Sequence, residues 1–95
     1  MEFKTVPGKY NKQEVKIYTI STCMWCTRLK RKLKQNEIEY IYLDIDLLPL
    51  SEKTEIKSQL RRYRRILAFP MMFVNGEFIS NEYIDEKIQE LIRNG

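Results

Sequence analysis

Residues 14–45 limit most severely what this chain can become. Glu14 to Ile20 (Glu-Val-Lys-Ile-Tyr-Thr-Ile) is dense in β-branched residues, and Val15, Ile17 and Thr19 alternate with Lys16 and Tyr18 at the period of a strand. A cap-like pair, Ser21-Thr22, follows. From Cys23 to Asn36 the period becomes helical. Cys26, Leu29 and Leu33 fall on one face, while Arg28, Lys30, Arg31, Lys32 and Lys34 cover the others. Asn36 is expected to close this helix in the left-handed conformation. Glu39 to Ile45 (Glu-Tyr-Ile-Tyr-Leu-Asp-Ile) returns to strand. Strand, helix and strand in this order make a parallel βαβ unit with a right-handed crossover.

The rest of the chain builds onto that unit. Asp46 to Pro49 is a connection, and Ser51 is the expected N-cap of a second helix running to about Tyr63, with Glu52 and Glu55 in its first turns. Ile56 and Leu60 give that helix one apolar seam. Pro70 punctuates the chain before a short apolar strand, Met71 to Val74. Asn75-Gly76 then predicts a type I′ hairpin, because that turn needs positive φ at both central residues. Glu77 to Ile79 is the returning strand. A last helix starts at about Glu82, with Ile84, Ile88, Leu91 and Ile92 as its apolar stripe. The expected architecture is α/β, a four-stranded mixed sheet flanked by three helices. With 95 residues it is expected to be one domain, 1–95. Residues 1–13 are poorly determined by pattern. Pro7-Gly8 marks a turn, and the segment reads as an edge strand or a flexible arm.

Composition removes several chemistries. The chain has no histidine, which excludes Ser-His-Asp and Cys-His catalysis and histidine-ligated metals. Two cysteines are too few for a four-cysteine metal site within one chain or for a secreted disulfide scaffold. The longest apolar run, Ile66 to Val74, is nine residues, far short of the roughly 20 that a membrane span needs. The N-terminus has no apolar stretch of signal-peptide length, so a cytoplasmic protein is expected. A formal charge of +4 favours acidic partners without specifying nucleic acid.

Cys23-Met24-Trp25-Cys26 is the constellation that carries chemistry. It stands between a strand and a helix, where free N–H groups and the helix dipole favour a thiolate over a thiol. Two cysteines three apart are close enough to be bridged. Cys26 shares the apolar face with Leu29 and Leu33 and points inward, whereas Cys23 lies at or before the first turn. Cys23 is therefore assigned as the attacking nucleophile and Cys26 as the resolving thiol. Two other readings stand beside this one. Two chains and external thiols would complete a [2Fe–2S] site on Cys23, or the basic segment would bind nucleic acid with the thiols incidental.

The motif resembles the active site of glutaredoxins and related redoxins of the thioredoxin superfamily, over about residues 14 to 93. A second match is Ala68-Phe69-Pro70, followed by a strand and Asn75-Gly76-Glu77, which looks like the family's Thr-Val-Pro loop and its hairpin. The resemblance implies a thioredoxin-like fold, a cis Pro70, and a loop that meets the motif and pairs with substrate. It implies a thiol–disulfide oxidoreductase that carries electrons to disulfide-containing proteins and needs no tightly bound cofactor or metal. Met24, Trp25, Phe69, Pro70, Ser80, Asn81 and Arg65 are the candidate substrate- or partner-binding residues.

The departures bear on the reductant. Ile20 stands where glutathione-using members carry lysine, and Ser80-Asn81-Glu82-Tyr83 stands where they carry Gly-Gly and acidic residues. The pattern is nearer to redoxins recharged by a protein reductase, some of which serve ribonucleotide reductase, with glutathione second. Met24 replaces the usual proline inside the motif and leaves an extra N–H near the Cys23 sulfur. The run Arg61-Arg62-Tyr63-Arg64-Arg65 reads first as a solvated helix end and second as a docking segment for an acidic partner. Tyr18, Tyr40 and Tyr42 read as structural. Asp44 and Asp46 lack a third ligand for a metal site.

Overall fold

The computed structural model describes residues 2–94. Five strands, β1 (Lys4–Val6), β2 (Val15–Thr19), β3 (Tyr40–Asp44), β4 (Met71–Val74) and β5 (Glu77–Ile79), form one sheet in the order β1-β3-β2-β4-β5. β2 runs parallel to β3, as the βαβ unit requires, and every other pairing is antiparallel. The helices are α1 (Met24–Gln35), α2 (Leu50–Leu60) and α3 (Ile84–Arg93). Among the described residues, no helix is long and apolar enough to cross a membrane.

The pleat divides the core into two layers. Val15, Ile17, Met72 and Val74 face α1 and α3, where they meet Leu29, Leu33, Ile84 and Ile88. Met71 and Phe73, alternating with them, face α2 and pack with Leu43, Ile56 and Leu60. Thr19 is fully buried and is the polar member of the first set.

The sheet has five strands, where the sequence leads one to expect four. Lys4–Val6 pairs antiparallel with Tyr40–Tyr42, which would otherwise be an open edge of unpaired N–H and C=O groups. The contact continues past β1. The Tyr10 amide donates to the Glu37 carbonyl at 2.9 Å, and the Glu39 amide donates to the Tyr10 carbonyl at 3.0 Å. Residues 4–10 are thus held along β3 and its approach. Met1 and Gly95 lie outside the described residues.

Gly8 allows this approach. A Cβ there would sit 2.5 Å from the Glu39 nitrogen and 2.6 Å from the Glu37 carbonyl oxygen, both backbone atoms. Gly8→Ala is therefore expected to destabilise the fold by about 1–3 kcal/mol through overpacking. Denaturant midpoints would measure this, and an unchanged midpoint would mean that the segment is free to move away.

Four boundaries differ from the sequence reading. Asn36 does not adopt the left-handed conformation (φ −90°); Glu37 does (φ 58°). The amide of buried Ile38 returns to the Leu33 carbonyl and that of Glu37 to the Lys34 carbonyl, a Schellman closure anchored by the apolar Ile38–Leu33 end. α2 is entered from Pro49 rather than Ser51, and its first bond runs from the Lys53 amide to the Pro49 carbonyl at 2.9 Å. It ends at Leu60, and turns carry the chain through Tyr63. A short 3₁₀ turn, Asn81–Tyr83, precedes α3. The Asn75-Gly76 turn has the positive φ values expected, 51° and 83°.

Candidate active site

β2 delivers the chain to the motif, and the loop between β2 and α1 is tied down at both ends. The Cys23 amide donates to the Ile20 carbonyl at 3.0 Å. The Ser21 amide donates to Asp46 Oδ1 at 2.8 Å, and its hydroxyl donates to Asp46 Oδ2. That hydroxyl holds the Asp46 carboxyl below the usual carboxylate range. With the folded-state value lowered, the tether adds stability above the ordinary carboxylate range and loses it as pH falls through the lowered value.

Cys23 is the N-cap of α1. Its sulfur accepts the Cys26 amide at 3.3 Å, which places a fixed donor where negative charge collects on that sulfur. The Thr27 amide and hydroxyl both donate to the Cys23 carbonyl at 3.1 Å. Both cysteines are free thiols; Cys23 is half-buried, whereas Cys26 is fully buried. Burial, followed by the contact with Cys23, pushes the Cys26 thiol up to about 12; the Ile20 backbone and the Lys30 ammonium act weakly the other way. Reduced protein is therefore expected to take one iodoacetamide adduct near neutral pH, on Cys23, with Cys26 reacting only as pH nears its raised value. Peptide mass mapping reads this directly, and rapid double alkylation near neutrality would contradict it.

The loop before β4 closes the site from the other side. The Phe69–Pro70 bond is cis, and the Cys23 thiol points at the Phe69 carbonyl at 3.7 Å. Beside the sulfur lies a groove of about 560 Å³. Trp25, Arg28 and Lys32 of α1 form one wall, and Ala68, Phe69 and Pro70 another. Asn81, Ile84 and Asp85 close its end. Trp25 is 64% exposed, and the Arg28 guanidinium lies 4.8 Å from its ring centre.

Below the motif, Asp44 accepts from the Thr19 hydroxyl at 2.5 Å and from Lys30 Nζ at 3.1 Å. The same ammonium sits 4.0 Å from the Tyr42 ring centre. Lys30 is thus fixed one helical turn beyond Cys26, and Asp44 is engaged within the fold. Asp46 is likewise engaged by Ser21. Among the described residues, no group of three or more His, Cys, Asp or Glu residues could hold a metal ion.

Of the residues singled out by sequence, the fold brings Trp25, Phe69, Pro70 and Asn81 into the wall of one groove; neither cysteine lines it, and Cys23 stands beside it through its contact with the Phe69 carbonyl. Met24 is exposed on the first turn and does not line it. Ser80 caps the 3₁₀ turn without a side-chain hydrogen bond and is not in the wall. Arg65 is exposed in the loop before Phe69 and also stays out of it. Of the basic run, Tyr63 stacks edge-on against Phe73 at 4.9 Å, and Arg64 Nε donates to the Ile66 carbonyl at 3.0 Å. Arg28 and Lys32 were visible in the sequence only as helix-surface cations, yet they form a wall of the groove. Their spacing from Trp25 (i+3 and i+7) is the signal that places them on its side of α1.

A CxxC pair capping the first helix of a βαβ unit, opposite a cis-proline loop, defines a redoxin of the thioredoxin-like class. Within that class the chain belongs to the glutaredoxin family, whose model matches residues 15–79. The glutaredoxin from Methanosarcina mazei Go1 superposes with a TM-score of 0.78 at 26% identity, covering 97% of this chain and 88% of that one. Methanoredoxin from Methanosarcina acetivorans gives 0.74 at 26% identity, with 86% of each chain covered. A glutaredoxin from Archaeoglobus fulgidus gives 0.69 at 27% identity, covering 86% of this chain and 88% of that one. No curated protein matches the sequence. Family and cysteine pair together point to thiol–disulfide oxidoreductase chemistry.

Proposed function

We propose that this protein reduces disulfides in other proteins through Cys23 and Cys26 and is recharged by a protein reductase of the thioredoxin-reductase kind. The observation that carries this is the inequality of the two sulfurs. One is reachable at a helix N-terminus beside a groove, and the other is buried three residues further along.

The Cys23 thiolate attacks one sulfur of the target disulfide. The target's S–S bond breaks, its other sulfur leaves as a thiolate, and Cys23 is joined to the target. Cys26 then gives up its proton and attacks Cys23, which releases the second target thiolate and forms the Cys23–Cys26 disulfide. The target gains two electrons and the protein loses two. Part of what raises the Cys26 thiol is its contact with the free Cys23 sulfur. That part disappears when Cys23 enters the mixed disulfide, so Cys26 becomes easier to ionise when its attack is needed. The reductase returns two electrons to close the cycle. Such a carrier belongs in a reducing compartment, here the cytoplasm.

The preference for a protein reductase over glutathione rests on Ile20. It packs in the apolar α2-side layer and places no cation near the motif where a glutathione carboxylate would need one. Titration in glutathione buffers, read by intact mass, tests this. The expected midpoint lies near the thioredoxin value of about −270 mV with no glutathione adduct on Cys23. A midpoint of about −200 to −230 mV with a clear adduct would mean a glutathione-dependent protein instead.

A further inference from the structure

α1 contains five cations (Arg28, Lys30, Arg31, Lys32 and Lys34) and no Asp or Glu. Two have carboxylate partners, Lys30 with partly buried Asp44 and Lys32 with Asp85 at the surface. Arg28, Arg31 and Lys34 have no carboxylate partner among the described residues. They are spaced i, i+3, i+6, each exposed and neighbouring the next, so they form a slanting row that winds through about 120° across the exposed side of the helix. The row begins in the active-site groove, where Arg28 lies over Trp25. We propose that this row is the recognition surface for an acidic polypeptide segment flanking the target disulfide. The proposal rests on the oxidoreductase reading and names its substrate class.

The dimensions fit an extended chain. Arg28 is five residues beyond Cys23, about 7.5 Å along the helix at 1.5 Å per residue. An acidic residue two positions from the attacked cysteine reaches about 7 Å in an extended peptide. Lys34 is about 16 Å further along the helix axis than Cys23, which calls for an acid at least four or five positions away. Glutathione, with one residue on each side of its cysteine, is too short to span the row. The 3₁₀ turn and the first turn of α3 carry Glu82, Asp85 and Glu86, so an acidic segment is favoured along α1 and disfavoured along α3.

The test uses prereduced full-length protein in single turnover. Its substrates are two peptides of equal length with the same internal disulfide, flanked on both sides by Glu in one and by Lys in the other. Protein dithiol and peptide disulfide exchange two electrons, so no further reductant is required. The fluorescence of Trp25, the single tryptophan, follows the reaction.

At low salt the Glu peptide is expected to react at least about tenfold faster, as steering by a local charge patch allows. The gap should close at about 1 M salt, where the screening length is near 3 Å. Reversing all three charges (R28E/R31E/K34E) is expected to invert the ratio. Because the ratio compares two substrates on one protein, it cancels any change in folding or intrinsic reactivity. Equal rates at low salt, or a ratio untouched by the reversal, would overturn the proposal while leaving the oxidoreductase reading standing. A triple variant impaired only toward oxidised glutathione would also overturn it, by assigning the row to the tripeptide. If neither peptide nor neutral lipoamide disulfide is reduced, the oxidoreductase reading itself falls.

Discussion

Cys23→Ser is expected to lower disulfide reduction to less than about one part in 10³ of the wild-type rate, the scale of loss when a covalent nucleophile is removed. A serine hydroxyl is not ionised near neutral pH and cannot form the mixed disulfide. The remaining thiol, Cys26, offers no substitute, because it is fully buried and held protonated to high pH. The loss should be one of chemistry and not of folding. Position 23 is an N-cap whose side chain accepts one amide, a role serine fills well. The variant should therefore keep the wild-type denaturation midpoint while losing single-turnover reduction of a protein disulfide. Retained turnover would show that another group attacks.

Cys26→Ser should produce the second-largest effect and a different species. The first exchange still occurs, so Cys23 becomes joined to the target and one target thiol is released. Resolution then depends on external thiol. Well-oriented intramolecular nucleophiles act at effective molarities of about 10⁵ M or more, against millimolar thiol in solution. Even after allowance for the low thiolate fraction of a buried sulfur, the mixed disulfide should outlive the wild-type intermediate by at least about 10²-fold. Non-reducing electrophoresis or intact mass would show a one-to-one adduct through Cys23. An adduct that clears at the wild-type rate would remove Cys26 from the resolving role.

The parts of the fold legible from sequence are those dictated by local pattern. The alternation in Val15–Thr19, the helical period in Met24–Gln35 and the Asn75-Gly76 turn each carry their own signal, and the βαβ order leaves little choice of topology. β1 is legible only as one of two alternatives, an edge strand or a flexible arm, and the structure has the edge strand. Three residues, Lys-Thr-Val, show no period, and the segment is ordered by pairing with Tyr40–Tyr42 and by the close approach that Gly8 allows. The end of α1 was misassigned because Asn is the better left-handed residue by itself. The burial of Ile38 against Leu33 shifts the turn by one position and imposes that conformation on Glu37.

At the site, Cys23 and Cys26 could be placed because helix periodicity separates an inward from an outward sulfur. The groove wall could not be placed in full. Lys32 meets Asp85, and Lys30 meets Asp44, across separations that no local pattern encodes. Only the fold distinguishes the paired cations of α1 from the row left free.

The proposed function turns on one step, the passage of two electrons from Cys23 and Cys26 to a target disulfide. Its most direct test mixes prereduced protein with an equimolar disulfide-bonded protein and follows both by intact mass and peptide mapping. This chain is expected to lose two hydrogens and gain a Cys23–Cys26 disulfide as the target gains two thiols. Prior alkylation of Cys23 should block both changes. A target that is reduced while Cys23 and Cys26 remain thiols, or one that keeps its disulfide in the presence of fully reduced protein, would contradict it.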